Sequence, residues 1–215
     1  MITTARSHVL QPFSRSWIQR GLTALYAAVW TWAALAPVSR ADWLLENLLV
    51  FVVAAFLVWL YRIRPLSDVT SLLLAAFLIL HTVGSHYTYS EVPLGDWMKD
   101  VAGLERNHYD RVVHFTFGLL ITYPIRELFQ RSAVTAYGWA GLFAFMFVGT
   151  ASGIYELIEW ITAAIVDPEA GIAFLGTQGD VFASQKDHAL ALAGSIAALA
   201  VAGFCDRLPH RRKQS

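Results

Sequence analysis

The chain has 215 residues, of which 56% are hydrophobic and 15% are charged. The apolar residues form long uninterrupted blocks, which is typical of a membrane protein and excludes an ordinary soluble domain. The formal net charge is zero and no basic patch stands outside the termini, which excludes a nucleic-acid-binding protein. The single cysteine, Cys205, excludes an internal disulfide and a cysteine metal cluster.

Apolar runs near the length of about 20 residues that crosses a bilayer define the predicted elements. They cover residues 20–37, 43–62, 67–84, 110–130, 136–166 and 182–205. The predicted fold class is therefore all-α, a polytopic transmembrane helix bundle of about six spans. The fifth run is long enough to be tilted, to be broken at Gly149 or Gly153, or to extend past the bilayer.

The first run ends in the letters ALA at residues 34–36 and follows two arginines, which together resemble a signal peptide. Pro37 would stand directly after the cut, where cleavage is disfavoured. Trp30 and Trp32 suit a retained helix with interfacial anchors. We therefore expect residues 1–19 to form a cytoplasmic segment and the run to remain as the first span.

The distribution of Lys and Arg predicts the orientation of the bundle. If both termini and the turns at 62–67 and 126–135 lie on one side, that side holds eleven of the sixteen basic residues. Positive charge accumulates on the cytoplasmic side, so both termini are predicted to be cytoplasmic. The predicted division is a bundle over residues 20–206 with outer loops at 85–109 and 167–181, and a basic cytoplasmic tail at 207–215.

Ionisable residues in five of the six predicted spans lie at one depth, just beneath the outer surface. Their helical faces carry small residues, which pack inward in membranes, and ionisable groups at such depth mark functional sites by default. We expect one polar cavity open to the outer surface. Its predicted lining is His81, His114, Glu156, Glu159 and Asp187, and its predicted rim includes Asp110, Arg111 and Lys186.

Each of these groups also has a structural explanation. Glu156 and Glu159, spaced i to i+3, can bridge a metal, share a proton, or accept hydrogen bonds that join helices. A single buried histidine can be a satisfied core residue. The predicted site would hold four carboxylates and only two cations. This excess of negative charge is costly unless protons or a metal neutralise it. We expect Asp187 to pair with Lys186.

Four motifs resemble the uncharacterised bacterial inner-membrane family that includes YjdF: HTVGSHYTY, RNHYDRVVHFTFGL, YELIEW, and GTQGD followed by QKD. The resemblance runs from about residue 40 to 200. More distantly, the order D-[KR]-x-x-H-F, E-x-x-[QE] and D with a later Gly resembles the VanZ-like family. The matching positions are Asp110, Arg111, His114, Phe115, Glu156, Glu159, Asp187 and Gly194.

Two positions depart from the VanZ-like pattern. Glu159 stands where those chains usually have Gln, and Ala191 stands where an Asn is common. A ligand set shared with that family is therefore not implied at these positions. The resemblance implies a fold and the position of a site, and it brings no established reaction.

Three functions are compatible with the predicted site. The first is an enzyme whose divalent metal, Zn or Mn, activates water against a lipid or isoprenoid headgroup. Its predicted metal ligands are His81, His114, Glu156 and Glu159. Its predicted catalytic residues are Asp110, Glu156 and Asp187, and Arg111, Lys186 and Asp180 are predicted to bind the substrate. The second is a transporter that carries protons or cations on the same groups. The third is a protein that binds an envelope lipid headgroup without chemistry.

Overall fold

The computed structural model describes residue 13 and residues 16–131, 139–165 and 175–207. Seven α-helices occur in these ranges, and no strand does. The helices are α1 (Trp17–Leu35), α2 (Arg40–Ile63), α3 (Asp68–His86), α4 (Pro93–Ala102), α5 (Tyr109–Gln130), α6 (Ala140–Ile165) and α7 (Ala183–Arg207). Most of the predicted N-terminal segment, most of the loop at 167–181 and nearly all of the basic tail lie outside the described residues.

Four of these helices, α2, α3, α6 and α7, are long and apolar enough to cross a membrane. Helices α1 and α5 coincide with the first and fourth predicted spans, and α5 has charged residues near both of its ends. The all-α class of the fold is therefore confirmed. The count of six spans and the cytoplasmic termini stay predictions.

Helix α6 is one continuous helix from Ala140 to Ile165. It runs through Gly149 and Gly153 without a break, and side chains from α7 lie beside both glycines. The alternative of two helices in this part of the chain is therefore wrong.

The predicted outer loop at 85–109 contains a helix, α4, that sequence reasoning missed. Three of its side chains, Leu94, Trp97 and Val101, are exposed at i, i+3 and i+7, which forms one apolar face. Such a helix is typical of a segment that lies in the plane of the membrane surface. The end of the bundle that carries α4 is called the outer end below.

The opposite end of the bundle is held by the buried carboxylate of Glu127 on α5. It accepts hydrogen bonds from Ser67 Oγ (2.9 Å), from Thr70 Oγ1 and from Arg131 (2.6 Å). The carboxylate joins the α2–α3 turn to α5, so both elements end at the same side of the bundle.

Helices α5 and α7 form the closest helix pair, and two glycines make that approach feasible. A Cβ atom at Gly118 would collide with the carbonyl oxygen of Ala191. A Cβ atom at Gly194 would collide with the carbonyl oxygen of Phe115. Small residues let helix backbones approach closely in membranes. The pairing brings the polar residues at the outer ends of the two helices together.

Candidate functional site

A cavity of about 390 Å³ lies between α2, α3, α5 and α6. Most of its wall is apolar, with Val53, Phe117, Ile121 and Ile158 among the lining side chains. Polar groups gather toward its outer end. They are His81, Tyr89, Asp110, His114, Ser152 and Tyr155. This space is called the apolar cavity below.

His114 lies at the outer end of the apolar cavity, between two carboxylates. Its Nε2 atom is 3.4 Å from Asp110 Oδ1 and 3.6 Å from Glu156 Oε1. The Glu156 carboxylate also has a hydrogen bond with the side chain of Ser184 on α7. The structure therefore brings three predicted site residues from two helices together, and an N–H of the imidazole can serve either acid.

His81 is held by a tyrosine that sequence reasoning did not select. Tyr89 Oη lies 2.5 Å from His81 Nδ1. Tyr89 has a φ of 56°, which is strained for a residue with a side chain. Its ring occupies the space beside Gly84, where a Cβ atom would collide with it. The HTVGSHYTY motif therefore forms the end of α3 and the turn after it, in which Tyr89 folds back onto His81.

A hydrogen bond joins α2 to α6 at the outer end of the cavity. Tyr155 Oη donates to Glu46 Oε2 over 2.7 Å, and the glutamate is buried. The neighbouring Asn47 turns the other way and accepts from Trp30 Nε1 of α1 over 2.7 Å. Two adjacent polar residues of α2 therefore fix this helix to both of its neighbours.

The GTQGD segment at residues 176–180 docks on the RNHYD motif. Gln178 Oε1 accepts from the backbone N–H of Asn107 (2.9 Å), and Gln178 Nε2 donates to the carbonyl oxygen of Asn107 (3.1 Å). Arg106 donates to the carbonyl oxygens of the segment's first two residues (3.4 and 3.1 Å). Both glycines of the segment have positive φ, so they shape this turn.

Asp180, the last residue of that segment, is surrounded by three cations. Lys186 Nζ donates to both carboxylate oxygens (2.7 and 2.9 Å), Arg111 donates to Oδ2, and Arg106 lies 3.7 Å away. The hydrogen bonds from Lys186, aided by the charge of Arg111, lower the pKa of Asp180 to about 2. The carboxylate is therefore ionised at every physiological pH. These four side chains are called the outer clasp below.

Asp187 does not pair with Lys186, so that prediction is wrong. Adjacent helical residues point about 100° apart, and Lys186 turns outward to Asp180. Asp187 points inward and is 3% exposed, with Oδ1 lying 3.9 Å from Arg111 Nε. No hydrogen bond to Oδ1 exists among the described residues.

The predicted lining set is only partly reproduced. His81 and His114 line the apolar cavity, and so does Asp110, which was placed at the rim. Glu156 and Asp187 are not among its lining residues; Glu156 is 3.6 Å from His114 and Asp187 is 3.9 Å from Arg111. Glu159 has a hydrogen bond with Tyr155 on its own helix.

The arrangement gives no support to the predicted metal ligands. No group of three or more His, Cys, Asp or Glu side chains in the described ranges is placed to hold a metal ion. His81 is directed at Tyr89 and His114 at Asp110 and Glu156, so the two histidines serve different partners. A zinc or manganese site built from His81, His114, Glu156 and Glu159 stays a prediction.

A family model described as Predicted membrane protein (DUF2238) matches residues 18–207. The chain belongs to this family. Inner membrane protein YjdF of Escherichia coli (strain K12) is 35% identical over 158 residues, which cover 73% of this chain and 75% of that protein. No solved structure matches the chain. The resemblance to the family that includes YjdF is confirmed, and the chain is an integral membrane protein. The likeness to the VanZ-like family stays a prediction.

The motifs shared with the YjdF-like family coincide with the contacts described above. HTVGSHYTY contains His81, Gly84 and Tyr89, and RNHYD and GTQGD contain the two halves of the docked turn. Sequence reasoning could select the ionisable residues because charge in a membrane is costly. Tyr89 and Asn107 carry no charge, so depth and charge gave no signal for them.

Proposed function

We propose that this DUF2238 chain binds a membrane lipid, with the hydrocarbon chain in the apolar cavity and the polar head at the outer end. The observation that carries the proposal is the amphipathic shape of that cavity. Its wall is apolar over most of its length, and its polar groups gather at one end. The proposed setting is the bacterial inner membrane, where the E. coli relative is named to reside.

The dimensions of the apolar cavity support a lipid chain as its occupant. Its apolar lining on α5 runs from Val113 to Ile125, which is about 18 Å at 1.5 Å per residue. That length is a little more than half of the ~30 Å hydrocarbon core, so it is comparable with the depth of one leaflet. The volume of about 390 Å³ lies within the ~300–1,000 Å³ range of small-molecule sites.

A lipid can reach this cavity from the side of the bundle. Helices α2 and α6 face each other across it, and in the described part of the chain one hydrogen bond joins them, from Tyr155 to Glu46. Below that bond the facing side chains are apolar, among them Phe56 and Phe147. A hydrocarbon chain can pass between such groups without removing water from polar atoms.

The outer end supplies polar atoms for a headgroup. His81 Nε2 and Ser152 Oγ are buried in the cavity wall, and neither has a hydrogen-bond partner among the described residues. A buried polar atom without a partner is costly, and a hydroxyl or ester oxygen of a lipid head can satisfy both. Asp110 and His114 lie beside them and can accept or donate one more hydrogen bond.

The test uses a phospholipid whose acyl chain carries a photoreactive diazirine. Val53→Trp places a large ring in the cavity wall and is expected to lower photo-crosslinking about tenfold. That loss corresponds to displacing about two buried methylenes at ~0.8 kcal/mol each. Ala54→Trp is the matched control, because Ala54 is exposed and does not line the cavity. Equal labelling of the two variants would contradict the proposal.

The same experiment separates lipid binding from the metal-dependent reaction that the sequence suggested. The phospholipid is expected to stay intact both with and without a chelator, and the chelator is expected to leave crosslinking unchanged. A chelator-sensitive release of the headgroup would instead support a hydrolase with a divalent metal at His81, His114, Glu156 and Glu159.

Proton transport is a second candidate, favoured by a line of hydrogen-bonding groups between α2 and α6. Tyr155 hydrogen-bonds both Glu46 and Glu159, and such buried acids in membranes serve as proton relays. If this line carries protons, Tyr155→Phe abolishes proton flux into vesicles that hold the purified protein and a pH-sensitive dye. A parent protein that passes no protons would rule this candidate out and leave lipid binding untouched.

A further inference from the structure

The outer clasp has more positive than negative charge at its surface. Arg106, Arg111 and Lys186 surround one carboxylate, that of Asp180. Arg106 is directed mainly at backbone carbonyl oxygens, which carry no formal charge. Two further acids in the described ranges lie near these cations: Asp187, at 3.9 Å from Arg111, and Asp110, which also pairs with His114. Within the outer clasp itself, three cations therefore face one carboxylate.

Two N–H groups of the outer clasp have no acceptor. Arg106 is 6% exposed, and its buried Nε has no hydrogen-bond partner in the described part of the chain. Arg111 Nε also makes no hydrogen bond in the described ranges, and its ion-pair partner, Asp187 Oδ1, is 3.9 Å away. A buried donor without an acceptor is costly, so a ligand with several oxygens would be favoured at this point. A phosphate group has such oxygens and matches the fork geometry of arginine.

The outer clasp can be reached from outside. The Lys186 side chain is 51% exposed, whereas the Arg106 side chain is 7% exposed. An entering anion therefore meets the lysine first and the arginines beneath it. The clasp also lies near the polar end of the apolar cavity, because Asp110, which lines that end, interacts electrostatically with Arg106 and Arg111.

We propose that the outer clasp binds the phosphate of a lipid headgroup, with the phosphate taking the place of the Asp180 carboxylate on Arg111 and Lys186. Asp180 then serves as an internal anion that neutralises the two cations until a lipid binds. The inference rests on the proposed lipid binding, since the hydrocarbon chain of the same molecule extends into the apolar cavity.

The test compares two photoreactive probes with the same diazirine-bearing chain, an alkyl phosphate and an alkyl alcohol. The parent protein is expected to bind the phosphate probe about tenfold more tightly than the alcohol. Asp180→Asn removes the competing carboxylate and is expected to strengthen phosphate binding about fivefold, with no change for the alcohol. A fivefold change corresponds to about 1 kcal/mol.

The matched control is Asp206→Asn, because Asp206 pairs with Arg126 at the opposite end of the bundle. That variant is expected to bind both probes like the parent protein. Weaker phosphate binding by Asp180→Asn would show that the carboxylate only holds the loop in place, and it would overturn the inference. Equal binding of the two probes by the parent protein would overturn it as well.

The failure of this inference can be told apart from the failure of lipid binding itself. If only the phosphate assignment is wrong, both probes still bind and Val53→Trp still weakens both. If lipid binding is wrong, Val53→Trp and Ala54→Trp label equally with either probe. Inorganic phosphate that competes as strongly as the alkyl phosphate would identify the free anion as the ligand, and it would overturn the headgroup assignment.

Discussion

Gly194→Ala is expected to destabilise the bundle by about 3 kcal/mol, although alanine is the better helix former. A Cβ atom at this position would collide with the carbonyl oxygen of Phe115 and would crowd the backbone N–H of Leu119. Backbone atoms inside a helix cannot move aside as a flexible side chain can, so α5 and α7 must separate. Thermal unfolding of the purified protein in detergent, followed by circular dichroism, measures the change.

Gly203→Ala on the same helix is the matched control for this prediction. No atom lies within 4 Å of the position that its Cβ would occupy. The alanine should therefore be neutral or stabilise the protein by up to about 1 kcal/mol through its helix propensity. Gly194→Ala should lower the melting temperature, whereas Gly203→Ala should leave it unchanged or raise it. A similar shift for both would contradict the close α5–α7 contact.

His114→Leu is the second substitution with a large expected effect. It should lower the free energy of unfolding by about 3 kcal/mol, because it leaves the partly buried carboxylates of Asp110 and Glu156 near each other without the imidazole. Adding Asp110→Asn to this variant should restore part of the stability, since the amide relieves the repulsion between the two acids. A double-mutant cycle on unfolding free energies measures this coupling.

The control for His114 is His188→Leu on α7. His188 is half-buried against Gly153, and none of the ion pairs among the described residues includes it. Its replacement by leucine should change stability by less than about 1 kcal/mol. If the Asp110→Asn effect is the same with and without His114, then the histidine and the aspartate are not coupled and the description of the site is wrong.

Much of the helical architecture could be predicted because the cost of polar groups in a bilayer is large. Helices α2, α3 and α7 coincide with apolar runs of the required length, and their limits follow from Ser39 and Ser67, which cap two of them. Helix α4 escaped prediction because it is ten residues long. A search for membrane-length runs cannot register so short an amphipathic segment.

The candidate site could likewise be predicted only in part from the sequence. Depth and charge were enough to place Asp110, His114 and Glu156 together, and in the structure both carboxylates lie within 3.6 Å of the His114 imidazole. The partners of Asp180 and Asp187 could not be predicted in the same way. Which cation each acid meets depends on the turn at 176–180, whose docking is set by the uncharged pair Gln178 and Asn107.

The apolar cavity itself could not be predicted from the sequence. It exists because α2 and α6 stand apart below Tyr155, and single-residue patterns do not record the distance between helices. A lipid-facing apolar residue and a cavity-facing one look alike in the sequence. Val53 and Ala54 illustrate this, since only the structure shows that the first lines the cavity and the second is exposed.

The measurement that tests lipid binding most directly is the map of residues labelled by the photoreactive phospholipid. We expect crosslinks on Val113 and Ile121 of α5, which are 5% and 7% exposed and which lipid surrounding the bundle cannot reach. Competition with unlabelled phospholipid should remove these crosslinks. Labelling confined to exposed residues such as Val52 and Val201, with none on Val113 or Ile121, would contradict a lipid chain in the apolar cavity.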